Sequence, residues 1–454
     1  MKNIYKFVLK QPVKYHLYIH QWLMQRKHEG DSTLCQVKPT LASPVINEYR
    51  NKCSFTIGRN QQDEVCVGHR IGKYRDNNVA VESVSDLCHI PANVRKICAK
   101  LEGFVRASEY EPYNRFNHQG HWQDLMVRNN SKGECLAVVT FCRRELEDSK
   151  LKKVEEDLKS CFNGEKMVDS LLMCYTKVRD RNDGSVPLKL VYGEGHLYES
   201  LFEYKFKVSP YAFFQCNTPA CEVLYGQVAE MTRRSMKRRQ EGEKKQLNVL
   251  LDVCCGTGTI GICLSKHFDL VYGVDICESA IVDAKNNAEL NGVKNVHFIA
   301  GKAQDKMYEI LKKIPAHANV VAVVDPPRDG LHRKVIESMR SREQIGSVVY
   351  VACSLKQTRE NVHALVRNRS KKLAGRAFRP VACQPLDLFP HTDHVEVVTL
   401  YERFEEEKVE EGVVGGGGVK REAAQEEKSE EKVEPMEGEK VEEKLQQVDQ
   451  KDQE

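Results

Sequence analysis

The segment VVYVACSLKQT at 348–358 is an apolar run that ends in Cys353 and then turns polar. A cysteine in such a run often serves only as a small hydrophobe. A thiolate at the rim of a strand can also attack an electron-poor carbon, which splits one hard step into two easier ones. Asp325 closes a second apolar run, VVAVVDPPRDGLH at 320–332, at the carboxyl end of a strand candidate, where open α/β sheets bind ligands. Pro326-Pro327 then impose an extended, rigid exit. Glu396 opens the last apolar run of PLDLFPHTDHVEVVTLYERF, at 385–404, just after a Pro-containing turn. Shielding there would raise its pKa toward use as a base, with His394 as the alternative and His391 and Asp393 as residues that set the turn.

The stretch LLDVCCGTGTIG, at 250–261, carries GxGxxG as Gly256, Gly258 and Gly261 between a strand and a helix candidate. Glycines at those places allow a tight turn and a close approach to a ligand, and Asp275 follows at the end of the next strand, where it can accept hydrogen bonds from a ribose. The pattern fits a dinucleotide or S-adenosyl-L-methionine. Asp252, just ahead of the loop, opposes a pyrophosphate and favours a sulfonium amino acid by the sign of its charge.

Amino-group methyltransferases use a similar Asp/Asn-Pro-Pro turn followed by an aromatic residue, and here Arg328 follows. That argues against exocyclic amines as acceptors. Carbon 5 of a pyrimidine is a weak nucleophile until a thiolate adds to carbon 6. The adduct then needs a base to remove the carbon 5 proton, so Cys353 and Glu396 are candidates for one reaction.

These residues need a scaffold. From about Ser209 strands alternate with helices: NVLLDVCC, LVYGVDI, VVAVVDPP and SVVYVAC read as strands, and SAIVDAKNNAELNG as a helix closed by Asn291-Gly292. This is the signature of an α/β, doubly wound, Rossmann-like sheet, expected over 209–404. Residues 46–208 read as an α+β region of short strands, among them LAVVTF at 136–141. Its Arg50, Lys52, Arg59, Arg70, Lys73 and Arg75 are interspersed with Tyr49, Phe55 and Tyr74. Such a set suits an RNA surface, while a core of rings under a solvated charged face is the plainer reading. RRSMKRRQEGEKK, at 233–245, reads as a solvated helix end.

Residues 1–45 read as a poorly ordered or targeting leader without an acid before Glu29. The glycine-rich and Glu/Lys-rich stretch 405–454 reads as a disordered tail. That tail holds 18 acids and 8 bases, which leaves 61 bases against 47 acids before it. The basic remainder favours a polyanionic partner. Seventeen cysteines read as reduced intracellular thiols without zinc or iron–sulfur spacing, so no metal is expected. No run of about eighteen apolar residues is present, which excludes a membrane-spanning helix.

Together SPYAFFQCNTPACEVLY, LLDVCCGTGTIG, DPPRDGLHRKVI, YVACS and DLFPHTDHVE resemble the RNA (uracil-5-)-methyltransferase family, closest to the animal tRNA (uracil-5-)-methyltransferase homologues, from about Ile46 to Phe404. The resemblance implies Cys353 as nucleophile and Glu396 as base. It implies methyl-donor contacts from Gln215, Gly256, Gly258, Thr259, Asp275 and Asp325, with Asp325 also near the uracil. It further implies S-adenosyl-L-methionine as cofactor, tRNA as partner and T-loop ribothymidine as product. Where most relatives read Ser-Cys-Asn-Pro, this chain reads Ala352-Cys353-Ser354-Leu355. The alternatives are uridine methylation in rRNA or mRNA, a non-catalytic RNA-binding or tRNA-folding protein, and an NAD-type oxidoreductase. A cytoplasmic or nuclear location is expected, with a mitochondrial address as the alternative.

Overall fold

The computed structural model describes residues 17–28, 33–72, 78–178, 186–239, 246–354, 356–367, 369–370 and 373–403. Lys73, Tyr74, Arg75, Leu355, most of the 1–45 leader's first half and the whole 405–454 tail therefore lie outside the described residues.

Two sheets organise the chain. After the short strand β1 (Gln36–Val37) come β2 (Lys52–Arg59), β3 (Val65–Arg70), β4 (Val81–Ser83), β5 (Trp122–Asn129), β6 (Cys135–Cys142), β7 (Ser170–Thr176) and β8 (Leu188–Tyr192). Strands β2 to β8 form one sheet in the order β4-β3-β2-β5-β6-β7-β8. The helix Ala92–Arg106 buries Val94, Ile97, Cys98, Leu101 and Val105, and the helix Asp148–Asn163 buries Leu151, Val154, Leu158 and Phe162. Both sets recur at the three- and four-residue spacing of one helix face. They share a core with Phe55, Leu125, Val127, Ala137 and Val139. The residues between these on the strands, Met126, Leu136 and Val138, turn to the other face and pack with Leu197, as a period of two requires.

The hairpin β9 (Leu197–Leu201) and β10 (Tyr204–Val208) leads into a long helix, Thr218–Arg239. The second sheet then runs β11 (Asn248–Val253), β12 (Leu270–Asp275), β13 (Val296–Ala300), β14 (Asn319–Val324), β15 (Ile345–Ala352), β16 (Phe378–Leu386) and β17 (Glu396–Arg403). Its order is β1-β16-β17-β15-β14-β11-β12-β13. Strands β11 to β15 are mutually parallel, and β17 lies antiparallel between β15 and β16. Val320, Ala322 and Val324 face one core, and Val321 and Val323 face the other. Burial on both faces explains why these strands read as unbroken apolar runs.

Three features depart from the sequence reading. Residues 33–45, grouped with the leader, are built into the fold: Leu34 and Cys35 are buried, and β1 pairs parallel with β16. That pairing joins residues some 350 positions apart, and no local pattern announces it. The hairpin ahead of Ser209 already contributes Leu201, Phe206 and Val208 to the core of the second sheet. The rings of Tyr49 and Phe55 are buried, so neither offers a face for stacking a base.

Candidate active site

The strand order of the large sheet reverses between β11 and β14, and such a point opens a crevice at the carboxyl ends of the strands. The pairs Val253↔Val324 and Val324↔Tyr350 align the ends of β11, β14 and β15. Asp325 is therefore the first residue beyond β14, and Cys353 the first beyond β15. Strand β17 runs the other way, so its first residue lies at this same edge. The ladder between β15 and β17 ends at Ala352↔Val397, and one step further sets Cys353 opposite Glu396. Glu396 is buried and Cys353 is partly exposed, so a thiol at the rim is backed by a carboxyl within the wall.

The supporting contacts come from both sheets. Gln215 donates from Nε2 to Asp325 Oδ2 at 3.4 Å. The Gln215 carbonyl accepts from Asn51 Nδ2 at 2.8 Å, and the Asn51 amide donates to the Cys216 carbonyl at 2.8 Å. Arg128 donates to the Pro210 carbonyl at 2.7 Å and to that of Ala212. The Tyr49 hydroxyl donates to the Pro390 carbonyl at 2.9 Å, which fixes the turn ahead of Glu396. His391 is exposed and held to Asn47 at 3.0 Å. His394 is also exposed and sets its ring edge-on to Phe389, so of these three side chains Glu396 alone is buried at this edge.

On the other side of the crevice, Asp275 bridges two loops, accepting from the Gly256 amide at 3.0 Å and from the Cys277 amide at 2.9 Å. A β-carbon on Gly256, at φ +53°, would meet nothing within 4 Å, so this glycine borders open space. Gly258 differs: at φ +77° a β-carbon would lie 2.6 Å from the Phe298 ring, so the loop packs closely on that ring there. Thr259 Oγ1 is 2.8 Å from the Tyr225 hydroxyl. Asp252, read from sequence as a contact for the sulfonium ligand, is fully buried. Its Oδ2 accepts from the Gly261 amide at 2.9 Å, so it braces the glycine loop from beneath.

Burial dominates the electrostatics. It pushes the Glu396 carboxyl up to about 9, with the Asp325 charge adding to the effect. It pushes Asp325 up to about 7 against the opposing Gln215 hydrogen bond, and Asp252 up to about 8. The Cys353 thiol is raised by burial and then by Glu396, while the Arg328 guanidinium pulls it down. A neutral Glu396 relieves the repulsion on a Cys353 thiolate, so the two groups favour opposite protonation states.

The crevice fits S-adenosylmethionine. Open space beside Gly256, the Asp275 carboxylate at the loop and the Gln215–Asp325 pair supply a place for a nucleoside and acceptors for its hydroxyl and ammonium donors. Sequence reasoning missed Asn51 and Arg128, which hold the Gln215 segment from another sheet. It read Arg328 only as a missing aromatic, although its guanidinium faces the thiol. The Asp-Pro-Pro-Arg turn was the signal available for it.

Strand order and crevice define the class: a Rossmann-like methyltransferase fold of the S-adenosylmethionine-dependent kind. The structure resembles that of the Pyrococcus abyssi tRNA (uracil-54, C5)-methyltransferase in complex with S-adenosyl-L-homocysteine, with TM-score 0.59 and 23% identity over 81% of this chain and 78% of that one. In sequence, the tRNA (Uracil-5-)-methyltransferase family matches residues 202–404. Human tRNA (uracil-5-)-methyltransferase homolog B is 36% identical over 81% of this chain and 73% of its own length. Human homolog A is 34% identical over 85% of this chain, a match that spans 61% of that protein. The chain belongs to the tRNA (uracil-5-)-methyltransferase family.

Proposed function

We propose that this chain methylates carbon 5 of a uridine in tRNA, the T-loop ribothymidine position by family resemblance, through a covalent bond between Cys353 and carbon 6. The observation that carries this reading is the β15–β17 register, which sets Cys353 opposite Glu396 at the ligand-binding edge. S-adenosylmethionine, when bound, supplies an electrophilic methyl group. The Cys353 thiolate adds to carbon 6, and the electron pair of the 5,6 double bond moves toward carbon 5 and the carbon 4 oxygen. Once carbon 5 is methylated, Glu396 takes its proton, the double bond re-forms and the sulfur leaves as thiolate. A carboxylate whose conjugate acid is raised to about 9 is a stronger base than an exposed one, and protonation returns it to the neutral form that burial favours. Gln215, Gly256, Gly258, Thr259, Asp275 and Asp325 hold the methyl donor in this reading, with Asp325 placed to reach the uracil as well.

The N-terminal sheet is assigned to positioning RNA while the uridine leaves its stack, a step that costs a few kcal/mol. The test is transfer of a labelled methyl group to unmodified tRNA, followed by nucleoside analysis. The label is expected in 5-methyluridine. Label in another nucleoside, or S-adenosylmethionine binding with no transfer to any RNA, would overturn the assignment.

A further inference from the structure

At the same strand ends of the N-terminal sheet as the crevice contacts, but further across the sheet at β6 and β7, lies a cavity of about 330 Å³. Lys96, Lys132 and Lys166 line it with Asn93, Glu134 and Asp169. We infer that this cavity is a phosphate-binding subsite for the RNA backbone, separate from the uridine crevice, and the inference rests on the proposed tRNA substrate.

The three lysines come from three separate parts of the chain: the second turn of the helix Ala92–Arg106, the β5–β6 turn and the turn after the helix Asp148–Asn163. Among the described residues none of their ammonium groups forms an ion pair. The two acids in the lining keep their charge and accept hydrogen bonds from neutral donors. Glu134 accepts from Asn130 Nδ2 at 2.5 Å, and Asp169 accepts from the Cys135 amide at 2.7 Å. The one adjoining carboxylate that does form a lysine pair, Glu165, takes Lys100 at 2.5 Å and leaves its neighbour Lys166 without one. The helix that carries Lys96 has no acid in its first turn, so no carboxylate there offsets the positive end of its dipole. Three ammonium groups against the two carboxylates of Glu134 and Asp169 leave the lining with a net positive charge, which an anion would offset.

The position of the cavity favours RNA as the source of that anion. The Asn129 amide donates to Asn51 at 3.0 Å, and the Asp169 amide donates to Cys135 at 2.8 Å. Asn129 pairs with Cys135. Asn51, Asn129, Cys135 and Asp169 thus form a row along one end of β2, β5, β6 and β7. One end of the row holds Gln215, and the other lines the cavity. Three strand spacings of about 4.8 Å set the two roughly 14 Å apart, a span that a bound RNA bridges while its uridine occupies the crevice.

The experiment uses the full chain with Lys96, Lys132 and Lys166 all changed to Gln, a matching triple Arg variant, and Lys100→Gln as control. Binding of an unmodified tRNA transcript is measured against KCl concentration, alongside kcat and KM for methyl transfer. The Gln triple is expected to weaken binding and raise KM about tenfold, and to flatten the slope of log affinity against log salt by about 2 to 3. Its kcat at saturation and its thermal shift with S-adenosylhomocysteine should stay at wild-type values, and the Arg triple should restore binding. A Gln triple with wild-type affinity and salt slope overturns the subsite, as does a loss of affinity that Lys100→Gln reproduces. The salt slope is read from binding alone, so it decides the subsite even if the wild type binds tRNA without methylating it. That last result would sink the proposed reaction and spare the subsite.

Discussion

The crevice edge of the large sheet and the facing end of the N-terminal sheet both bury charge, but of opposite sign. At the crevice, burial drives Glu396 up to about 9 and Asp325 up to about 7. At the other sheet's end, it drives Lys52 down to about 8 and Arg128 down to about 10. At neutral pH the carboxyl groups of the crevice are thereby shifted toward their neutral forms, whereas Lys52 and Arg128 keep their charge. The difference teaches how the work is divided. A desolvated cleft lined by carboxyl groups repels phosphate and admits an uncharged base, so cations for a polyanion must stand outside it.

The contrast predicts its own largest effect in pH. Glu396 must be ionised to act as base, and its raised value leaves about one molecule in a hundred ionised at pH 7. Turnover should therefore climb at least tenfold per unit from pH 6 to 8, and the raised Cys353 thiol steepens the rise. A flat single-turnover profile across that range would show that burial does not control the base.

Next in size is the structural link between the regions. Arg128→Met leaves the Pro210 and Ala212 carbonyls without their charged donor, and should lower unfolding stability by about 2–4 kcal/mol. Urea denaturation reads this directly, and a variant as stable as wild type would mean that the two sheets do not depend on that anchor. Gln215→Ala removes a side chain hydrogen-bonded to Asp325. Its expected cost is about tenfold in S-adenosylhomocysteine affinity, roughly 1.4 kcal/mol, and calorimetry returning an unchanged Kd would remove Gln215 from the donor site.

Much of this site could be read along the chain because open-sheet folds deliver ligand contacts at strand ends. Asp275, Asp325 and Cys353 each stand where an apolar run stops, and Glu396 where one starts. Direction was the hidden variable: only the antiparallel setting of β17 turns a strand's first residue toward the same edge as the others' last. The rings of Tyr49 and Phe55 misled because stacking platforms and core residues have the same composition, and burial alone separates them. Asp252 misled because an acid before a glycine loop can face the ligand or the loop's own amides, and it faces Gly261. The strand β1, the anchors Asn51 and Arg128, and the three converging lysines depend on contacts between distant segments, which local periodicity does not encode.

Trapping tests the central claim most directly. A Glu396→Gln enzyme incubated with S-adenosylmethionine and unmodified tRNA should be unable to remove the carbon 5 proton, and should accumulate a denaturant-resistant protein–RNA species whose mass includes one added methyl group. That species should vanish when Cys353→Ala is combined with Glu396→Gln. If the double variant still forms it, or if Cys353→Ala alone methylates uridine at the wild-type rate, the sulfur is not the nucleophile and the account fails.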